Sequence, residues 1–327
     1  MRDVVVDIDV VNDAMALACR APSLHNSQPW RWVGNGHGVQ LFLDADRAPR
    51  YTDPTGRELV ISCGAVLDHF RVAMAAMGWI ADVERLPNPN NLDHLASVGF
   101  APMDFVAEGH RRRAQAVLRR RTDRLPMTEP PGWDAFLQHV FREKNSEAVS
   151  VHVVADESRP RLAQASQLAQ ASRLYESRYH AELLGWTSDV AVAEGIPAGA
   201  LLSAAESDRV DIRRDFPTVD HAERRGEIAR DFAKILVIAT DDVSRGSILR
   251  CGEMLSSVLL DATMAGLATC TLSHLTEVPE SREIVATLTG DAAIPQVLIR
   301  VGSAPSSRDT GPPTPRLRTE DVFEIRD

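Results

Sequence analysis

Residues 61–78 read ISCGAVLDHFRVAMAAMG, and residues 249–266 read LRCGEMLSSVLLDATMAG. At an offset of 188, Cys63-Gly64 matches Cys251-Gly252, Leu67 matches Leu255, and Gly78 matches Gly266. In the first copy Val66, Leu67, Phe70, Met74 and Met77 share one helical face; in the second Met254, Leu255, Val258, Ala262 and Ala265 do the same. Both read as long, largely buried helices ending at glycine, with an alanine content that suits close packing. The repeat continues past the glycines. Trp79 to Pro87 and Leu267 to Thr276 each contain an extended candidate. An amphipathic stretch follows, Leu92 to Ser97 or Ser281 to Leu288, and then a short strand, Asp104 to Val106 or Gln296 to Val301. The chain therefore reads as an internal duplication.

Outside the repeat, Asp9 or Asn12 is a candidate cap for a first helix running to about Arg20, stopped by Ala21-Pro22-Ser23. Trp30 to Val33 and Val39 to Leu43 read as strands around a glycine-rich turn, and Asp53 to Gly56 as a turn before the long helix. Trp133 to Glu143 is a helix candidate, Val149 to Ala155 a strand, Pro160 to Leu184 one long helix, and Phe232 to Thr240 a strand. The expected division is an N-terminal half, 1–110, a C-terminal half, 111–302, and an extended arm, 303–327, whose first part, Ser303 to Pro315, is rich in Pro, Ser and Gly. The segments 178–217 and 125–132 are candidate lids.

The 327 residues are 44% hydrophobic and 25% charged, enough for two cores. The formal net charge of −10 argues against a nucleic-acid partner, which needs a broad basic surface. No run of about 18 consecutive apolar residues suggests a membrane span. The acidic N-terminus does not resemble a secretory signal, so the expectation is cytoplasmic. Cys19, Cys63, Cys251 and Cys270 form no CxxC pair and lack zinc-ligand spacing, so no metal is expected.

Two stretches carry chemistry. Ala21-Pro22-Ser23-Leu24-His25-Asn26-Ser27-Gln28-Pro29-Trp30 packs short polar side chains between two prolines. Such a loop suits a ring edge that both donates and accepts hydrogen bonds, or is simply a capped polar turn. Arg120, Thr122 and Arg124 alternate in Arg120-Arg121-Thr122-Asp123-Arg124, the end of a run with seven arginines from Arg111. Two guanidinium groups and a hydroxyl suit a phosphate monoester; a solvated charge run explains the spacing equally well. Arg300, at the end of a strand, is a weaker candidate for the same phosphate.

The Ala-Pro-Ser-x-x-Asn-x-Gln-Pro-Trp pattern at 21–30 resembles the flavin-binding loop of the nitroreductase superfamily. Arg120, Thr122 and Arg124 resemble its phosphate grip. With Asp53-Pro54-Thr55-Gly56-Arg57-Glu58, the Cys-Gly helix starts and Gly195-Ile196-Pro197, most of the chain is similar to the double-length Acg-like, dormancy-associated branch found in mycobacteria. The resemblance implies an α+β fold of two nitroreductase-like halves fused as an intrachain pseudo-dimer, each with a small antiparallel-rich sheet packed by helices. It implies one FMN per chain, because only one Ala-Pro-Ser loop is present, and a site complete in a monomer.

By this resemblance Ser23, Asn26 and Gln28 address the ring or ribityl chain. Arg120, Thr122 and Arg124, with Arg300, hold the phosphate, and Gly266, Leu267 and Thr269 line the ring pocket. No side chain is a catalytic acid or base, since the flavin supplies the chemistry. The activity implied is NAD(P)H-dependent reduction of nitroaromatics or quinones, with the nicotinamide as a transient reductant. The alternative is a non-enzymatic protein that sequesters flavin under a lid.

Overall fold

The computed structural model describes residues 5–144, 148–188, 193–290, 293–305 and 313–326. Contacts divide the chain into two units. The first contains 1–120, 244–260 and 315–327, and the second 121–243 and 261–314. Residues 244–260, most of the second repeat's long helix, and the C-terminal strand thus count with the first unit, a division that differs from the linear boundaries at 110 and 302.

The elements of the first repeat are α1 (Ile8–Ala18), β1 (Trp30–Asn35), β2 (Gly38–Leu43), α2 (Arg57–Ala76), β3 (Trp79–Arg85), β4 (His94–Pro102) and α3 (Glu108–Arg119). There follow α4 (Trp133–Lys144), β5 (Val149–Val154), α5 (Arg159–Ser172), α6 (Ser177–Trp186), α7 (Ala204–Asp208), β6 (Lys234–Thr240) and α8 (Arg245–Met264). The chain closes with β7 (Ala268–Leu272), α9 (His274–Glu277), α10 (Pro279–Thr289), β8 (Ile294–Gly302), α11 (Thr319–Val322) and β9 (Phe323–Ile325).

Two separate sheets carry the duplication. One runs β3-β4-β2-β1-β9 and the other β7-β8-β6-β5, so the first four positions have the same order. The paired strands are antiparallel in both; only β9 lies parallel, on β1. A register shift recurs at equivalent places, Leu41/Phe42 on β2 against β4 and Ile238/Ala239 on β6 against β8. Each repeat keeps the order helix, strand, strand, long helix, strand, strand, with α5–α7 inserted between β5 and β6 and α9–α10 between β7 and β8 in the second. The fold is α+β with a duplicated sheet, each sheet packed by helices.

The two long helices, α2 and the part of α8 within the first unit, meet on their matching residues. A Cβ on Gly64 would lie 2.8 Å from the Gly252 Cα and inside the Leu249 carbonyl oxygen. One on Gly252 would lie 2.9 Å from the Gly64 Cα and inside the Ile61 carbonyl oxygen. Ile61 and Leu249 are themselves related by the offset of 188. One turn further on, the Ser256 hydroxyl donates to the Asp68 carboxylate at 2.6 Å, again 188 residues apart. Equivalent residues touching each other is the signature of a local two-fold, as in an isologous dimer interface. By length and composition α2 is able to cross a membrane, yet it is the core helix of this unit, buried from Glu58 to Phe70. Its Phe70 packs on Trp32 of β1, with ring centroids 5.1 Å apart.

Several local expectations are corrected. Leu92 to Ser97 is not a helical stretch: β3 turns back through 86–93 into β4, which ends before Asp104 to Val106. Buried Ala96 and Val98 alternate with partly exposed Ser97 and exposed Gly99, as a strand with one face toward the core requires. Only the second repeat keeps helices here, α9 and α10. Pro160 to Leu184 is two helices, broken at 173–176. There the Arg173 and Leu174 carbonyls meet the His180 ring at 3.0 and 3.2 Å, and Glu176 leaves the helical region with ψ 82°. The first helix is capped by Asp7, not Asp9 or Asn12, its carboxylate accepting from the Asp9 N–H.

In the second unit the core lies between its sheet and α5, α9 and α10, with Leu162, Ile235, Val237, Leu275, Val285 and Leu298 at its centre. Buried histidines make both units acid-sensitive. His274 meets the Ser166 hydroxyl at 2.8 Å, and burial followed by the Arg214 charge pushes its pKa down to about 3. His69, fully buried on α2, is pushed well down by burial and then by Arg120, Arg316 and Arg113. Both rings are held neutral in the fold. Their folded pKa lies below the unfolded value, so the unfolded chain binds more protons, and stability present above about pH 6.5 is lost as pH falls below it. At pH 5.5 each histidine is expected to cost about 1 kcal/mol. A melting temperature that stays level between pH 7.5 and 5.5 would contradict this.

Candidate functional site

The 21–30 loop departs from regular backbone between its two prolines. His25, Asn26 and Gln28 have φ of 50°, 60° and 50°. Left-handed conformation at three non-glycine residues stores strain of roughly 1–3 kcal/mol each, and such strain gathers where ligands are held. The loop is braced from within and from α2. The Gln28 N–H donates to the Ser23 hydroxyl at 3.0 Å, and the Leu24 N–H donates to the Ser62 hydroxyl at 3.1 Å. Ser62 in turn donates to the Glu58 carbonyl. Ser23 is therefore a loop brace, and the side chains of Asn26 and Gln28 reach the C-terminal arm. Asn26 Nδ2 donates to the Pro315 carbonyl at 3.2 Å, and Gln28 Oε1 accepts from the Leu317 N–H at 3.0 Å.

Beside this loop three arginines converge on the C-terminal end of α1. Arg120 follows α3 and donates through Nη2 to the Arg20 carbonyl at 3.4 Å. Arg316 donates to the same carbonyl at 3.3 Å and to the Ala21 carbonyl at 3.4 Å. Carbonyls just beyond a helix C-terminus carry its negative dipole end, which is why cations settle there. Arg120 is buried, and Arg20 and Arg316 are partly buried. Burial first, and then repulsion by Arg120 and Arg20, pulls the Arg316 guanidinium down to about 9. Two further polar atoms of the loop, Asn26 Oδ1 and Ser27 Oγ, are buried and have no hydrogen-bond partner among the described residues.

The remaining candidates lie in the second unit. Thr122 bridges Thr269 in parallel, and the Asp123 N–H donates to the Thr269 carbonyl at 2.8 Å, so this segment lies along the start of β7. Leu267 and Thr269 are buried; Gly266, at φ 74°, is the exposed turn that ends α8. Arg124 is partly buried and stacks over Phe216 at 5.4 Å, with Nη1 3.5 Å from the Ala200 carbonyl. Burial lowers its pKa despite the nearby Cys270 and Asp123.

Arg300 takes a different place. It is 1% exposed, and its donors go to Asp231 at 2.6 and 3.0 Å and to the Arg124 and Leu125 carbonyls at 3.3 and 3.0 Å. That geometry makes it a support for the 124–125 backbone. Asp123 is likewise engaged, by Arg225 at 2.7 Å.

The candidate lid, 178–217, contains α6, α7 and irregular chain; its residues 189–192 lie outside the described residues. It is secured within its unit. Glu206 is buried, closes a capping box with Ser203, and pairs with Arg224 at 2.8 Å. Arg214 pairs with Glu277, and Arg209 donates to the Arg225 and Ile228 carbonyls. Arg20 and Arg316 escaped the sequence reading. Arg20 borders the motif and its position was the available signal; Arg316 has none, because its proximity to the loop spans nearly the whole chain.

No family model matches the chain. A Mycobacterium tuberculosis protein named "Putative NAD(P)H nitroreductase acg" is 57% identical over 326 residues, covering 100% of this chain and 98% of that protein. An uncharacterized protein of the same organism is 49% identical over 321 residues, covering 97% of this chain and 93% of its own. Among solved structures, the FMN and NADPH-dependent nitroreductase NfnB from Sphigopyxis sp. strain HMH aligns at 21% identity with a TM-score of 0.40, over 66% of this chain and 99% of that one. Identity of 57% over the full length of this chain means that it belongs to the Acg-like NAD(P)H nitroreductase family.

Proposed function

We propose that this chain binds one FMN and acts in the cytoplasm as an NAD(P)H-dependent reductase of nitroaromatics or quinones, complete as a monomer. The observation that carries the reading is the cluster of Arg20, Arg120 and Arg316 beside the strained 21–30 loop. Like charges gathered at partly buried positions favour an anion among them. A phosphate monoester presents enough oxygens for three guanidinium groups, and the unsatisfied Asn26 Oδ1 and Ser27 Oγ supply polar atoms for the rest of a flavin nucleotide. The donor set fits FMN. The name of the M. tuberculosis relative, a putative NAD(P)H nitroreductase, supports the reductant and the acceptor class.

In this reading Arg120, with Arg20 and Arg316, holds the phosphate. Ser23 keeps the loop in its strained form. Arg300 acts one step removed, by fixing the backbone at Arg124. Bound FMN supplies hydride transfer from NAD(P)H to the acceptor, so the chain's residues bind, orient and exclude water without moving a proton. A single site follows from the unequal repeats. Eleven residues separate α1 from β1, but only 145–148 separate α4 from β5, too few for a second such loop.

A second reading, flavin sequestration, is favoured by one observation. The candidate lid already engages Arg124, through the Ala200 carbonyl and the Phe216 ring. The two readings separate in an anaerobic titration of the FMN-loaded chain. Bleaching by NADPH or NADH is expected for the reductase; flavin reduced by dithionite alone would establish sequestration instead. Arg120→Ala with Arg316→Ala removes two charge-assisted contacts, each of about 1.5–3 kcal/mol. FMN binding is expected to weaken at least about 100-fold, and wild-type affinity in the double variant would end the phosphate assignment.

A further inference from the structure

The C-terminal arm is anchored twice within the first unit. Its β9 pairs with β1 through Trp32–Phe323, Val33–Glu324 and Gly34–Ile325. Before that, Pro315–Leu317 lies on the polar loop. The peptide units on either side of Arg316 are held by Asn26, through the Pro315 carbonyl, and by Gln28, through the Leu317 N–H. Arg316 is thereby aimed at the Arg20 carbonyl, which Arg120 also contacts.

Two influences oppose each other in this contact. The hydrogen bonds from Asn26 and to Gln28 are between neutral groups, whose net worth is small because water offers the same bonds. Bringing Arg316 beside Arg120 and Arg20 is repulsive, and partial burial weakens the screening that would soften it. An anion among the three guanidinium groups turns that repulsion into attraction. We propose that Pro315–Leu317 is a strap whose docking on Asn26 and Gln28 is thermodynamically linked to binding of a phosphate-type anion among Arg20, Arg120 and Arg316. Asn26 and Gln28 are then positioning residues that act through the strap. By linkage, the anion tightens the strap by the same factor as the strap tightens the anion. The inference rests on the flavin reading only for the identity of the anion.

The test is hydrogen exchange at the Leu317 amide in the full chain, alone and with FMN, riboflavin or inorganic phosphate. FMN and phosphate are each expected to slow exchange about tenfold or more, and riboflavin, which lacks the phosphate, is expected to leave it unchanged. Leu317→Pro deletes the N–H that donates to Gln28 and is expected to raise the Kd for FMN about tenfold. If that variant does not fold, Gln28→Ala must raise it equally. A Leu317 amide equally protected with and without anion overturns the strap, as do protection by riboflavin and an unchanged Kd. FMN bound without protection removes the strap and leaves the flavin reading standing. Protection by phosphate with no flavin bound leaves the strap standing and removes the flavin reading.

Discussion

Gly252→Ala is expected to destabilise the chain by about 3 kcal/mol or more, although alanine is the better helix former. In an exposed helix the same change would add nearly 1 kcal/mol of stability. Here the new methyl would enter the Ile61 carbonyl oxygen and sit 2.9 Å from the Gly64 Cα. Both obstacles are backbone in the middle of α2, so no rotamer change relieves them, and the two helices must move apart. Separation also breaks the packing around the Ser256–Asp68 hydrogen bond one turn away. Gly64→Ala meets the Leu249 carbonyl in the equivalent way and is expected to cost a similar amount. Thermal unfolding of the two variants provides the measurement. A melting temperature at or above wild type for either would show that the helices do not cross at these glycines.

The second large effect is expected at Asp231. Its carboxylate, fully buried in its side chain, accepts from Arg300 Nε and Nη2, from Arg159 Nη2 at 2.8 Å, and from the Met127 N–H at 2.9 Å. Burial alone would raise its pKa. The Arg300 charge and hydrogen bonds, with Met127 and Arg159, outweigh burial and hold it below the usual carboxylate range. Asp231→Asn keeps the shape, removes the charge and turns a donor toward other donors. Arg300 is then a buried cation without its counter-charge, a change that costs about 3–5 kcal/mol. Because the folded pKa of Asp231 is depressed, its contribution is complete above about pH 4 and is lost as pH falls through the folded value. The loss in Asp231→Asn should therefore be large in chemical denaturation at pH 7 and shrink at low pH. A variant within 1 kcal/mol of wild type at pH 7 would refute this account of the network.

Local pattern made much of this molecule legible. The spacing of Val66, Leu67, Phe70 and Met74 identified α2, and the matching stripe identified α8, because a helix that buries one face must repeat apolar residues with its own period. Strands β1, β2, β5 and β6 were legible for the parallel reason. The stretch 92–97 was not: a short segment with mixed polarity fits both periods, and its pairing with β2 and β3 decided the outcome. The break at 173–176 was equally hidden, since a turn satisfied by the His180 ring leaves the helical periodicity on both sides intact. At the candidate site, the polar loop and Arg120 were visible as motifs. Arg300 was visible only as a strand-end arginine, and its burial against Asp231 gives it a supporting place.

From sequence alone came the duplication, the single polar loop and the run of arginines, since each is written in contiguous residues whose physical chemistry is local. Tertiary structure alone determined that Gly64 meets Gly252, that Arg316 joins Arg20 and Arg120, and that Asn26 and Gln28 hold the arm. Those contacts join residues from 100 to 296 positions apart. Which distant groups meet depends on how buried faces stack, and periodicity reports only that a face is buried, not what covers it.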